Sequence, residues 1–359
     1  MKVVCKAPGK LILLGEYAVL EGAPALVTAV DRYATVEIES SPDQTFRISS
    51  PNLNITALPF SLDEKGRIQF DLPDRSEEKQ KLIFFQKAFE LAWQKRFNNN
   101  SPKPLHFILD TRAFYLEKTG EKLGLGSSAA LTVALLYALL KGINLPGGSQ
   151  ADLTAEEIFP AALTAHFAAQ GKKGSGIDIA ASLYGGFLQF QISSEAQSLP
   201  RVQPRQFPTD LYLIPIWSGK SASTSQLVSR TLKYKETNPA AYWKLMDKLI
   251  RLSREGCQAV QRQQTNKFLD ICDHYHHTLK QFGENCNAAI ISPEHQEIAE
   301  RVRACGGVYK PSGAGGGDIG IALCDDTVVA QKISEEILHF GYKIIKLSPS
   351  QTGVHLENF

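Results

Sequence analysis

Chemistry in this chain would begin with two charged residues that sit beside glycine turns. Lys10 closes Ala7-Pro8-Gly9-Lys10, and Asp178 closes the turn that runs from Gly171 through Gly174, Ser175 and Gly176. A side chain at such a turn can be held close to a ligand. A lysine near an aspartate in a partly dry site keeps both charged, and the pair can clamp or orient a transferring group. Singly, each has a plainer explanation, Lys10 as a surface lysine and Asp178 as a helix N-cap. The glycine stretches beside them sharpen the reading. Gly124-Leu125-Gly126-Ser127-Ser128-Ala129 leads into an almost wholly apolar run ending at Gly142, and Ser312-Gly313-Ala314-Gly315-Gly316-Gly317-Asp318 leads into a strand-like run.

The stretch 124–142 reads as a glycine loop followed by a buried helix, with Ser127 as N-cap and Gly142 and Pro146 as its stop. Apolar residues on every side place such a helix in a core. Its first N–H groups and positive dipole end, flanked by small residues, suit an anion. Neither GxxxxGK[ST] nor GxGxxG is present, so a phosphate site here rests on loop-and-helix physics. Phosphoryl transfer needs a cradle for the donor phosphates, a divalent metal, cations for developing charge and an aligned acceptor. The 124–128 loop can be the cradle, and the hydroxyl of Ser127 or Ser128 could reach the metal.

The elements that must position these groups follow from patterning. Residues 3–6, 11–14, 24–30, 34–39 and 105–109 read as strands. A helix from Ser76 carries Leu82, Phe85, Phe89, Ala92 and Trp93 on one face and ends in a loop at 98–102. Thr154 and Glu157 have capping-box spacing before a helix that contains Pro160. A strand follows through 186–192. The Ser-, Gln- and Pro-rich stretch 193–210 marks a boundary, giving domains 1–200 and 201–359. Beyond it come a strand at 211–217, a hydroxyl-rich loop at 218–225, and helices from Asn238-Pro239, over 266–282, from Ser292-Pro293 and over 327–340. Strands at 319–324, 342–347 and 353–356 complete an α+β chain.

Composition narrows the class. A formal charge of +2 over 359 residues, with Lys and Arg spread along the chain, argues against a nucleic-acid binder. No run suits a membrane span, and the N-terminal residues lack a signal-peptide pattern. Six scattered cysteines fit free thiols in a reducing cytoplasm. His274 and His277 read as neighbours on a solvated helix face, with His276 pointing elsewhere.

Three segments together resemble the GHMP small-molecule kinases, the family of galactokinase, homoserine kinase, mevalonate kinase and phosphomevalonate kinase: APGKLILLGEYAVL at 7–20, GLGSSAA at 124–130 and KPSGAGGGDIGIAL at 310–323. The resemblance implies an N-terminal domain like domain 2 of ribosomal protein S5, a ferredoxin-like C-terminal domain, and ATP with magnesium in the cleft between them. By the same resemblance Lys10 would stabilise the transferring phosphoryl group, and Asp178 would orient the acceptor or take its proton. Gly124, Leu125, Gly126, Ser127, Ser128 and Ala129 would hold the ATP phosphates, with Lys122 as an added cation and Ser128 reaching the metal. Tyr17, Ser175, Gly176, Lys220, Ser223 and Thr224 would face the acceptor. Ser312, Gly313, Ala314 and Gly315 would line the cleft near the reacting phosphates.

Within the family, AHFAAQGKKGSGIDIAASLYGG at 165–186 and IWSGKSASTSQLV at 216–228 most resemble the phosphomevalonate kinase branch. That implies 5-phosphomevalonate as acceptor and 5-diphosphomevalonate as product. Mevalonate kinases carry a metal-holding glutamate eleven positions before the aspartate, where this chain has Phe167. Another GHMP kinase acting on mevalonate or a sugar is the alternative, and an inactive ligand-sensing member is a further one. The partners expected are small molecules, with no nucleic acid and no membrane; monomer and homodimer both stay open. A phosphate monoester is mostly dianionic at neutral pH, its second pKa being about 6. Charge neutralisation is then the harder task, and Lys10 should matter more than Asp178 does as a base.

Overall fold

The computed structural model describes residues 2–41, 43–73, 76–96, 103–143, 154–171, 174–193, 195 and 198–357. The expected loop at 98–102, Pro146, Lys172 and Lys173 lie outside them.

Two long strands organise the first half. β1 (Lys2–Leu14) and β2 (Ala25–Ser40) pair antiparallel along nearly their whole length, with Lys10 opposite Ala29. Each was expected as two short strands. The Ala7-Pro8-Gly9 turn is in fact a register shift between Pro8 and Gly9 within one continuous β1, a bulge of the kind that re-aims a side chain. β3 (Phe46–Ser50), β4 (Ile55–Leu62) and β5 (Ile68–Phe70) extend the sheet. Next come α1 (Glu77–Lys81), α2 (Ile83–Arg96), β6 (Leu105–Asp110), α3 (Ser127–Tyr137), α4 (Ala155–Gln170), α5 (Ile177–Tyr184), β7 (Phe187–Gln191) and β8 (Arg201–Arg205).

α3 is the element these pack around. Ala129, Ala130, Val133, Ala134, Leu135 and Leu136 are all fully buried, as all-round apolarity requires. It lies against β1, β2, α2, α4 and α5 and continues as a π-helical turn over Ala138–Gly142. The capping box at Thr154 and Glu157 is formed. Ser127 is not the N-cap of α3: that position is Gly126, left-handed at φ 81°, so Ser127 is the first helical residue.

In the second half β9 (Tyr212–Trp217) is followed by α6 (Thr224–Thr237), α7 (Pro239–Gln261), α8 (Thr265–Asn285), α9 (Pro293–Ala304), β10 (Val308–Pro311), β11 (Ile319–Cys324), α10 (Thr327–His339) and β12 (Lys343–Ile344). The sheet order is β10-β11-β9-β12, with every pairing antiparallel. With helices in the two crossovers, this is the split βαβ arrangement of ferredoxin-like folds. β13 (His355–Leu356) returns to pair with β1 in the first sheet.

The sequence showed no sign of β8 or α6. β8 occupies part of the stretch expected to be irregular, and α6 begins inside the expected polar loop. The three histidines divide as their helical spacing implies: His274 and His277 are exposed, while His276 is fully buried, with its ring 6.5 Å from that of Tyr309. Burial pushes the His276 imidazole down to about 3, so it is neutral. All six cysteines are unpaired. Among the described residues no group of three His, Cys, Asp or Glu could hold a metal by itself, and no helix is long and apolar enough to cross a membrane.

Candidate active site

The bulge in β1 brings Lys10 against the loop that opens α3. Its backbone N–H donates to Leu125 O at 2.9 Å, and its ammonium donates to Gly124 O at 3.0 Å. A Cβ added at Gly126 would lie 3.3 Å from Lys10 Cγ and 3.7 Å from Asp178 Cβ. Lys10 and Asp178 therefore flank the same helix start from separate parts of the chain. Asp178 is held in the first turn of α5, where its Oδ1 accepts from Ile179 N at 3.0 Å. Lys10 is 8% exposed, which rules out the surface-lysine explanation.

Gly124 shows why this loop cannot carry a side chain. It has φ 77°, and an added Cβ would lie 2.5 Å from Asp318 Cβ, so the third glycine stretch closes onto the first. Gly120 has a similar φ of 68° with nothing within 4 Å, which makes it a matched control. Both alanine substitutions incur the left-handed backbone cost of about 1–2 kcal/mol, and only Gly124→Ala adds the collision. We expect Gly124→Ala to weaken ATP binding by at least about tenfold, the equivalent of a further ~1.4 kcal/mol, as read by calorimetric titration. Gly120→Ala should leave it unchanged; equal losses would show that Asp318 imposes nothing.

These elements enclose a cavity of about 650 Å³. Of the expected residues, Lys10, Tyr17, Lys122, Gly124, Gly126, Ser128, Ser175, Asp178, Ser223, Thr224, Gly313 and Ala314 line it. Leu125 and Ala129 are buried behind it, and Ser127 is buried beside them. What these residues offer a ligand is the backbone N–H groups of the helix start. Gly176 caps α5 against Leu163, and Gly315 packs on the Ile290 backbone. Ser312 is spent on the fold, accepting from Ile12 N at 2.8 Å. Lys220 points away into an ion pair with Glu294 at 2.6 Å. Tyr17 donates to Ala314 O at 2.6 Å, so its phenol joins the first motif to the third. Ser128 Oγ lies 3.3 Å from His166 Nε2.

Two carboxylates on the wall had no role in the sequence reading. Asp318, the last residue of the third glycine stretch, lines the cavity and accepts from Ala222 N at 3.3 Å. Glu16, within the first motif, forms a buried ion pair with Lys310, their side chains 1% and 0% exposed. Its Oε2 has no partner. The acidic end of each motif was a visible signal, but only the fold brings both to one wall.

Burial lowers the Lys10 pKa, with Asp178, Asp318 and Glu16 opposing the shift and Lys122 adding to it. Burial raises that of Asp318, with the Ala222 amide, Lys10 and Lys122 opposing. Lys10 and Asp318 each hold their charge at a cost that a bound polyanion would relieve for the lysine and a bound cation for the carboxylate.

The family descriptions decide the relationship: GHMP kinases N terminal domain matches residues 86–186, and GHMP kinases C terminal matches 260–343. The chain belongs to the GHMP kinases. Among relatives of this GHMP kinase is the phosphomevalonate kinase of Streptomyces sp. (strain CL190), 28% identical over 98% of both chains. The mevalonate kinase of Thermococcus sibiricus is also 28% identical, over 72% of this chain and 70% of its own. A Streptococcus pneumoniae phosphomevalonate kinase in complex with phosphomevalonate and AMPPNP superposes with a TM-score of 0.76 at 21% identity, covering 96% of this chain and 99% of that one. It shares the two-domain GHMP kinase fold. As a member of that family the chain is a phosphotransferase.

Proposed function

We propose that this GHMP kinase transfers the γ-phosphoryl group of ATP to 5-phosphomevalonate, giving 5-diphosphomevalonate. The observation that carries the reading is the convergence of Lys10, Asp178 and the start of α3 on one cavity. In this account the helix-start amides and Lys122 hold the triphosphate, and Lys10 lies where charge gathers in transfer. Asp178 orients the acceptor oxygen. The hydroxyls of Ser223, Thr224 and Ser175 face the acceptor, with Gly313 and Ala314 between the two substrates. Lys220 and Ser312, given their present partners, act from outside the first layer.

Magnesium suits this wall. It favours hard oxygen donors and usually takes one or two carboxylates together with substrate phosphates. Asp178, Asp318, the unpartnered Glu16 Oε2 and the Ser128 hydroxyl supply such donors. Bound there, the ion would neutralise phosphate charge.

Phe167 favours the phosphorylated acceptor over mevalonate. It sits 3.5 Å from where a Cβ on Gly176 would be, putting carbon where the mevalonate kinase pattern puts a carboxylate. An acceptor panel in an ADP-release assay tests the assignment. We expect kcat/KM on 5-phosphomevalonate at least about 100-fold above that on mevalonate or galactose, since the hydroxyls that face an acceptor phosphate are left unpaired when it is missing. Preference for mevalonate would overturn the acceptor and keep the kinase. ATP binding with no turnover on any acceptor would favour a ligand sensor.

Lys10 also sets a pH dependence. It must be protonated to act, and its pKa in the free protein lies below the ordinary 10.5. The alkaline limb of kcat/KM should therefore begin below pH 10.5. Bound phosphates raise that pKa, so the limb of kcat should lie at higher pH than that of kcat/KM. Coincident limbs would remove Lys10 from the titration.

A further inference from the structure

A second recess, about 390 Å³ in volume, opens between α7 and the β7–β8 hairpin. Arg201, Arg205 and Arg254 line it together with Gln189, Gln203 and Gln258. No Asp or Glu is among the lining residues. The Arg205 guanidinium is satisfied only by neutral oxygens: Gln189 Oε1 at 3.1 Å, Gln203 Oε1 at 2.8 Å and its neighbour Pro204 O at 3.3 Å. Among the described residues Arg201 and Arg254 pair with no carboxylate. Elsewhere in the fold arginines take carboxylates, as Arg47 does with Asp43, Arg112 with Asp110 and Arg301 with Glu297.

Three guanidinium groups around one hollow repel each other, and no acidic side chain is among its lining residues. Each presents a planar fork of N–H donors that matches phosphate oxygens two at a time. The glutamine amides add neutral donors to the same rim. We infer that this recess is an anion site, separate from the catalytic cavity, for a small molecule carrying a diphosphate group. A single phosphate would have to share its oxygens among the three guanidinium forks, whereas two linked phosphates offer them more acceptors. The hollow is larger than the diphosphate alone and leaves room for an organic portion against Pro24 and the buried Cys257.

The recess is tied to the catalytic rim through α7. Ser253, next to Arg254, donates to Pro24 O, and Gly256, next to Cys257, packs on Leu14. The chain from Leu14 to Pro24 carries Glu16, Tyr17, Val19 and Leu20 along the catalytic cavity.

The test is calorimetric titration of the full chain with pyrophosphate in metal-free buffer, the catalytic cavity first being saturated with a non-hydrolysable ATP analogue. No turnover is read, so the result is independent of the acceptor assignment. We expect one binding event that persists in the presence of the analogue, weaker for orthophosphate and for citrate. Arg201→Gln/Arg254→Gln should weaken it by at least about tenfold, the loss of one charge-assisted contact or more, while the affinity for the analogue stays unchanged. Both arginines are exposed; should the double variant fail to fold, either single variant carries the same criterion. No binding in the presence of the analogue, equal affinity in the variants, or citrate or orthophosphate binding as tightly as pyrophosphate would overturn the inference.

Discussion

Lys10→Met should lower kcat by roughly 10³-fold, with KM for ATP changed far less. The ammonium is buried, donates to Gly124 O, and lies among Asp178, Asp318 and Glu16. A cation held in a dry site acts on developing charge far more strongly than one in water. Its contribution is thus made mainly in the transition state, and such a loss appears in kcat rather than KM. Asp178→Asn should cost less. A phosphate-monoester acceptor needs no strong base, and an amide retains most of the orienting geometry. Steady-state rates of the two variants decide the ranking. A larger loss for Asp178→Asn would make proton removal the harder task and would count against a phosphorylated acceptor.

Glu16→Gln or Lys310→Met alone should destabilise the fold by about 3–5 kcal/mol, because each leaves one charge buried without its partner. The pair is fully enclosed and joins the end of β1 to the third motif. Lys310 also donates to Pro311 O at 2.8 Å, and Gly313 N reaches Glu16 Oε1 at 3.5 Å. Glu16→Leu/Lys310→Met should recover most of that loss, since apolar replacements of a buried pair are often neutral. Denaturant midpoints of the three variants check this. A double variant as unstable as the singles would show that the pair has a structural role that packing cannot replace.

These two contacts mark where the sequence stops being readable. The three motifs, the apolar run into α3, the capping box at Thr154 and the start of α7 at Pro239 depend on neighbouring residues, and each could be read directly. The need for glycine at 124 depends on Asp318, and the carboxylate at 16 depends on Lys310; neither partner is close in sequence. The N-cap moved from Ser127 to Gly126 because the loop turns through a left-handed residue just before the helix, a demand that serine meets poorly. α6 was hidden because its buried residues are few, Leu227 and Thr231, and it begins in a serine-rich stretch that resembles loop. β1 looked broken because a bulge and a turn share the same Pro-Gly signal, and β2 because Asp31 and Arg32 interrupt its apolar run.

Lys220 shows a further limit. Its neighbours in the segment line the cavity, but its ammonium is paired with Glu294, a residue distant in sequence.

The most direct measurement of the central claim is a crystal structure of the chain with a non-hydrolysable ATP analogue and 5-phosphomevalonate. The account predicts the β- and γ-phosphates on the N–H groups at the start of α3, with the γ-phosphate within hydrogen-bond reach of Lys10 Nζ. The acceptor phosphate should lie on the side of Ser175, Ser223 and Thr224. A triphosphate bound away from that helix start, or a Lys10 that keeps Gly124 O and never meets the γ-phosphate, would contradict it.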